Sequence, residues 1–249
     1  MKFTLKPTLL PWLTLGFGGI GLAVRNWLYR SAMDSNGLFV TFHPANLLTW
    51  VVAFVSVAVL ILCLRFPMPG GEYLKLFPKS VAATVGCFIG AVGIAVCSVT
   101  ELMSLPKADY AAVATLVTGM VGSASLVYLG LCRLWDMHPG TAFRCLVCLF
   151  FVLHLVSQYR TWSAEPQLQE YFFQLMASVL MMLCSYHRAT LDSGKHPLRR
   201  YLIFHQLSLF FCCMSMVGQN RLFYLTMGVW TLLDSCAIVS VTKLWRTQK

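Results

Sequence analysis

The sequence predicts an all-α integral membrane protein, a single domain over residues 1–249 built as a bundle of eight transmembrane helices with both termini in the cytoplasm. Three observations carry this reading. With 58% hydrophobic residues, 11% charged residues and a mean hydropathy of +0.70, the chain has too little polar surface to cover a water-soluble globule of its length. The apolar residues fall into runs of about twenty, the length an α-helix needs to cross a hydrocarbon core roughly 30 Å thick. Finally, if the N-terminus is cytoplasmic, fourteen of the nineteen Lys and Arg lie on that side, and only Arg25, Arg30, Lys107, Arg160 and Arg221 on the other. Such asymmetry in short loops sets orientation, and a seven-span reading would put one of the basic ends outside.

The first run, residues 9–28, follows a basic end as a signal peptide would, but no small-x-small cleavage site closes it, so it reads as a retained helix. Gly16, Gly18 and Gly21 within it match G-x-G-x-x-G. The dinucleotide fingerprint needs a preceding strand and a helix that starts at the glycines, so close helix packing explains these better. Arg25 and Asn26 end the run.

The second run, 45–64, opens after Pro44; the third, 80–102, carries the small pair Gly86 and Gly90 and ends at Glu101. The fourth, 110–132, presents a small face of Ala111, Thr115, Gly119 and Gly122. All ten prolines lie at or outside the run boundaries, with Pro11, Pro44, Pro166 and Pro197 in first turns, where the missing N–H is harmless. Continuous helices are therefore expected, which weighs against transporter folds built on broken helices. Trp12, Trp135 and Trp245 fall at cytoplasmic ends and Trp27, Trp50 and Trp162 at outer ends, while Trp230 is mid-span.

The fifth run, 141–160, contains Cys145 and Cys148 as C-x-x-C, but in an apolar helix with no second pair, so no metal or redox site is expected. All ten cysteines lie in or at the ends of apolar spans, where a thiol packs as a small hydrophobe. Polar residues inside a span are the functional candidates, because an ionisable group there is costly unless paired. His154 and Gln158, four apart, share a face of the fifth run, and Gln167, Glu170, Gln174 and Ser178 form a stripe on the sixth, 167–187. Reflection about the turn near residue 163 or 164 brings Gln158 level with Glu170 and His154 near Gln174. Glu101 and Arg25 end their helices on the same side.

The loop from His187 to Arg200 is the most basic piece of a chain with a net charge of +10. These charges are divided among loops at one membrane face, which argues against nucleic acid and for the anionic lipid of the inner leaflet as partner. The seventh and eighth runs, 199–218 and 222–243, turn near Gly218 to Arg221, and reflection there places His205 opposite Asp234. A carboxylate beside an imidazole suits a proton or cation site, or a static pair that fixes helix register.

The segment LVSQYRTWSAEPQLQEYFFQLMASVLMMLCSYHRA, with LFYL and the tryptophan of the eighth run, resembles an uncharacterised family of multi-spanning proteins from anaerobic Gram-positive bacteria. The resemblance implies a polytopic fold in the cell (plasma) membrane and transfers no activity and no site residues.

Two functional expectations follow. In one, the chain binds or moves a small polar or amphipathic molecule through an outward-facing cavity, with Glu170 as charged anchor and Gln174, His154 and Gln158 orienting the ligand. In the other it is a non-catalytic partner or sensor subunit whose polar residues only pack its helices. Nothing in the sequence names an enzyme: no H-E-x-x-H, G-x-S-x-G or paired intramembrane aspartates occur, and His205 with Asp234 lacks a nucleophile. No cofactor or metal is expected.

Overall fold

A computed structural model describes residues 7–32, 43–64, 77–104, 110–163, 168–191, 198–218 and 220–247, leaving aside the side chains of residues 7, 104, 111, 161, 168–170 and 241–247. Among the described residues every element is helical. A 3₁₀ turn, Pro7–Leu9, leads into α1 (Leu10–Ser31), followed by α2 (Pro44–Cys63), α3 (Val81–Ser104), α4 (Tyr110–Leu134), α5 (Thr141–Trp162), α6 (Leu168–Thr190), α7 (Leu198–Ser215) and α8 (Arg221–Thr247). Each apolar run thus becomes one helix. Pro11 and Pro44 occupy the first positions of α1 and α2, and His43 caps α2 by accepting the Ala45 N–H on Nδ1 at 3.2 Å. α4 ends at Leu134, and the left-handed φ of 56° at Asp136 in the following turn lets the Met137 N–H reach the Cys132 carbonyl at 2.8 Å.

Five of the helices are long and apolar enough to cross a membrane: Pro44–Cys63, Val81–Met103, Ala112–Leu134, Thr141–Arg160 and Arg221–Ser240. The other three, α1, α6 and α7, carry more polar residues, among them Arg25 and Asn26, Gln174 and His187, and Arg199, His205 and Gln206. Their placement explains this tolerance in the case of α7. It packs against α1, α2, α6 and α8, and from His205 to Ser215 it is buried on every side. Its polar groups therefore meet protein: Thr14 donates to Gln206 at 2.7 Å, and the Gln206 carboxamide in turn donates to Ser235 of α8. α2 is the opposite case, with Leu47, Val51, Phe54, Val55 and Leu62 turned outward, the apolar surface that a hydrocarbon solvent accepts.

Helices α3 to α7 pack in chain order, and α8 returns between α7 and α3, closing a ring. Aromatic side chains fill it: Phe150 and Phe151 of α5 meet Phe223 and Trp230 of α8, each pair at 6.5 Å between centroids. Small residues set the close approaches. A Cβ on Gly86 would stand 3.1 Å from Leu233, and one on Gly90 3.1 Å from both Leu126 and Trp230, so α3 seats directly on α8. A Cβ on Gly18 of α1 would likewise stand 2.7 Å from Cys213 of α7, and one on Gly21 2.9 Å from Met214. Gly16, expected to share that role, looks onto open space.

Candidate functional site

Among the described residues, two clusters are built around a carboxylate inside the bundle, one toward each end. The proximal one is at the end where α1 begins, the distal one where α1, α3, α5 and α7 finish.

At the distal end, Glu101 projects from the last turns of α3 toward α5. Its Oε1 lies 3.0 Å from His154 Nδ1, accepts from the Gln158 carboxamide and accepts from the Cys97 thiol at 3.6 Å. Cys97 and Glu101 are one helical turn apart on α3, and His154 and Gln158 one turn apart on α5, so two i,i+4 pairs face each other across one seam. His154 is fully buried, its ring stacked on Phe150 at 5.5 Å and against Phe223 at 4.9 Å. Neither imidazole nitrogen completes a hydrogen bond: Nδ1 is near Glu101 but off the line of one, and Nε2 has no acceptor among the described residues.

A cavity of about 390 Å³ opens beside this seam, with Cys97 and Thr100 on one wall and Asn220, Arg221 and Phe223 on another. A second, of about 350 Å³, lies between Asn26 of α1 and Met216, with Arg221 common to both.

Of the residues expected to form the outer polar group, His154 and Gln158 converge on Glu101. The Glu170 side chain and Gln167 lie outside the described residues. Gln174 is buried with its carboxamide against Gly218, and its carbonyl accepts from Tyr224 at 3.4 Å. Arg25 is buried where α1 meets α7. It donates to the Met214 carbonyl at 2.7 Å and to Tyr29 at 3.4 Å, and lies over the Phe173 ring at 4.7 Å. Met214 is in the last turn of α7, where carbonyls lack intrahelical donors, so the guanidinium serves as a side-chain cap.

At the proximal end, His205 and Asp234 do approach, at 3.8 Å, but as part of a larger group. Asp234 is fully buried, pairs with Arg133 of α4, accepts from Tyr201 at 2.9 Å and has Arg188 of α6 at 3.9 Å. His205 makes its hydrogen bonds elsewhere. Nε2–H donates to the Thr231 carbonyl at 2.8 Å, which leaves Nδ1 to accept from the Cys184 thiol at 3.0 Å, the pattern of a neutral imidazole. Phe77 lies under both guanidiniums, 5.4 Å from Arg133 and 4.9 Å from Arg188.

Arg133, Arg144 and Arg188, counted in the sequence among the loop charges of one membrane face, are all buried within the bundle. Arg133 also donates to the Pro78 carbonyl at 3.2 Å, and Arg144 to the Arg188 carbonyl at 3.4 Å. Their position within a turn of a helix end is a sequence signal, but Asp234 is 101 residues from Arg133 and no local pattern links them.

The C-x-x-C cysteines hold no special geometry: Cys145 is exposed, Cys148 donates to the Met182 carbonyl at 3.7 Å, and all ten cysteines are free. No protein-family model matches the chain, and comparison with curated proteins and with solved structures finds no match.

Proposed function

We propose that the chain is an eight-span protein of the plasma membrane with cytoplasmic termini, and that its distal polar cluster binds a small polar molecule and passes it across the membrane. The observation that supports this is the meeting of Glu101 with His154 and Gln158 beside an open cavity. A carboxylate inside an apolar bundle is held there at a cost of a few kcal/mol unless it is matched, and it is a natural anchor for a cationic or donor-rich solute. Glu101 takes the anchoring role that the sequence suggested for Glu170. The eight spans rest on the skewed distribution of Lys and Arg, since three of the helices depend on their neighbours rather than on their own apolarity.

Full-length protein in lipid nanodiscs, assayed by thermal shift against the twenty amino acids, choline, betaine and putrescine, tests the reading. At least one solute should raise the transition of the wild type and lose that effect in Glu101→Gln. If Glu101→Gln merely lowers folded yield and no solute shifts the wild type, the cluster is an adhesive between α3 and α5, as in a non-catalytic partner subunit. Reporter fusions at the two ends and after Arg30 test the topology. The ends should report cytoplasm and the Arg30 fusion the outside.

A further inference from the structure

The geometry points to a divalent transition-metal site of the zinc class formed by Cys97, Glu101 and His154, with the open cavity supplying the fourth ligand. The inference rests on the distal cluster being a binding site and names its ligand class.

The donor set carries the argument first. A thiol sulfur, a carboxylate oxygen and an imidazole nitrogen come within 4.8 Å of one another from two helices. Bond lengths of about 2.3 Å to sulfur and 2.0–2.2 Å to nitrogen or oxygen put tetrahedral ligand atoms roughly 3.3–3.6 Å apart. The Cys97 Sγ to Glu101 Oε1 distance of 3.6 Å already fits, and the 3.0 Å between Oε1 and His154 Nδ1 need open by only a few tenths of an ångström. All three ligands stand on long helices, so the framework is rigid before any ion arrives.

The state of His154 carries it further. The ring is fully buried between Phe150 and Phe223, Nδ1 faces Glu101 without making a hydrogen bond, and Nε2 has no acceptor among the described residues. An imidazolium paired with Glu101 would bury a charged N–H donor at Nε2 with nothing to receive it, which is costly in apolar surroundings. A neutral imidazole coordinating through Nδ1 removes the charge from the buried ring and gives Nδ1 a partner, while its proton stays on Nε2.

Charge balance agrees, because a thiolate and a carboxylate together neutralise a divalent ion and the site carries no net charge into the bundle. On binding, the Cys97 S–H bond breaks, the sulfur–metal bond forms and the proton leaves through the cavity; no group changes oxidation state. Gln158, already donating to Glu101, orients the carboxylate from behind, the usual place for a partner that tunes a ligand without touching the metal. Three protein ligands with a fourth position open to water or another small ligand differ from the closed four-ligand arrangement of structural zinc sites.

The test is a Co²⁺ titration of reduced, chelator-treated full-length protein in nanodiscs, followed by Zn²⁺. The wild type should bind one Co²⁺ per chain with a thiolate-to-cobalt charge-transfer band in the near ultraviolet, and Zn²⁺ should abolish it. Cys97→Ser should remove that band and weaken binding by more than about 100-fold, since loss even of an outer partner costs 10–100-fold. Cys145→Ser should leave both unchanged. A folded wild type that takes up no stoichiometric Co²⁺, or a band that survives Cys97→Ser, overturns the metal site. If metal fails while an organic solute still stabilises the wild type through Glu101, the binding-site reading stands without it. If neither a metal nor a solute acts through Glu101, both fall.

Discussion

Arg133 at the end of α4 and Asp234 in the body of α8 form an ion pair whose side chains are 2% and 0% exposed. One carboxylate thereby serves two buried guanidiniums and a phenol, since Arg188 and Tyr201 converge on the same side chain. The group ties α4, α6, α7 and α8 together at the proximal end, and Arg144 extends it to α5 through the Arg188 carbonyl.

Asp234→Asn should therefore be among the most damaging single changes. It removes the carboxylate that pairs with the buried Arg133, and breaking a buried pair from one side costs about 3–5 kcal/mol. Reversible denaturation of the protein in mixed micelles would measure it. The double variant Asp234→Asn with Arg133→Gln should recover part of the loss, and strictly additive effects would contradict the pairing.

Tyr201→Phe keeps the ring against Phe77, with centroids 5.6 Å apart, and deletes only the donor to Asp234. A hydrogen bond to a charged group contributes about 1.5–3 kcal/mol, so this variant should be measurably weaker than wild type but milder than Asp234→Asn.

Gly18 and Gly16 offer a paired control on one helix. At Gly18 a methyl group would stand 2.7 Å from the Cys213 Cβ, so Gly18→Ala should force α1 from α7 at about 1–3 kcal/mol. Gly16 has open space, and Gly16→Ala should be neutral or stabilising by up to about 1 kcal/mol through helix propensity. Equal effects at the two positions would mean that α1 does not seat on α7 as described.

Arg25→Gln removes the cationic cap on the Met214 carbonyl and the contact over Phe173. The expected loss is about 1.5–3 kcal/mol, read in the same denaturation experiment, with faster cleavage by an added protease at the nearby α7–α8 turn.

Helix count, helix limits and the identity of the polar residues inside helices were all legible in the chain, because length, apolarity and the placement of proline are local properties. Residues 80–102 predict Val81–Ser104, and 141–160 predict Thr141–Trp162. Reflection about a short turn also brought His205 to the depth of Asp234, since adjacent helices in a hairpin must run antiparallel. Depth, however, says nothing about rotation of a helix about its axis or about which distant helix stands opposite. Those were decided by packing: glycines let α3 close onto α8, which positions Glu101 on the seam with α5, and the same ring carries Arg133 to Asp234. Arg133, Arg144 and Arg188 were legible as charges near helix ends, but not as buried ones. A guanidinium with a buried carboxylate, carbonyls and an aromatic face within reach turns inward, and only the assembled bundle provides all three at one point.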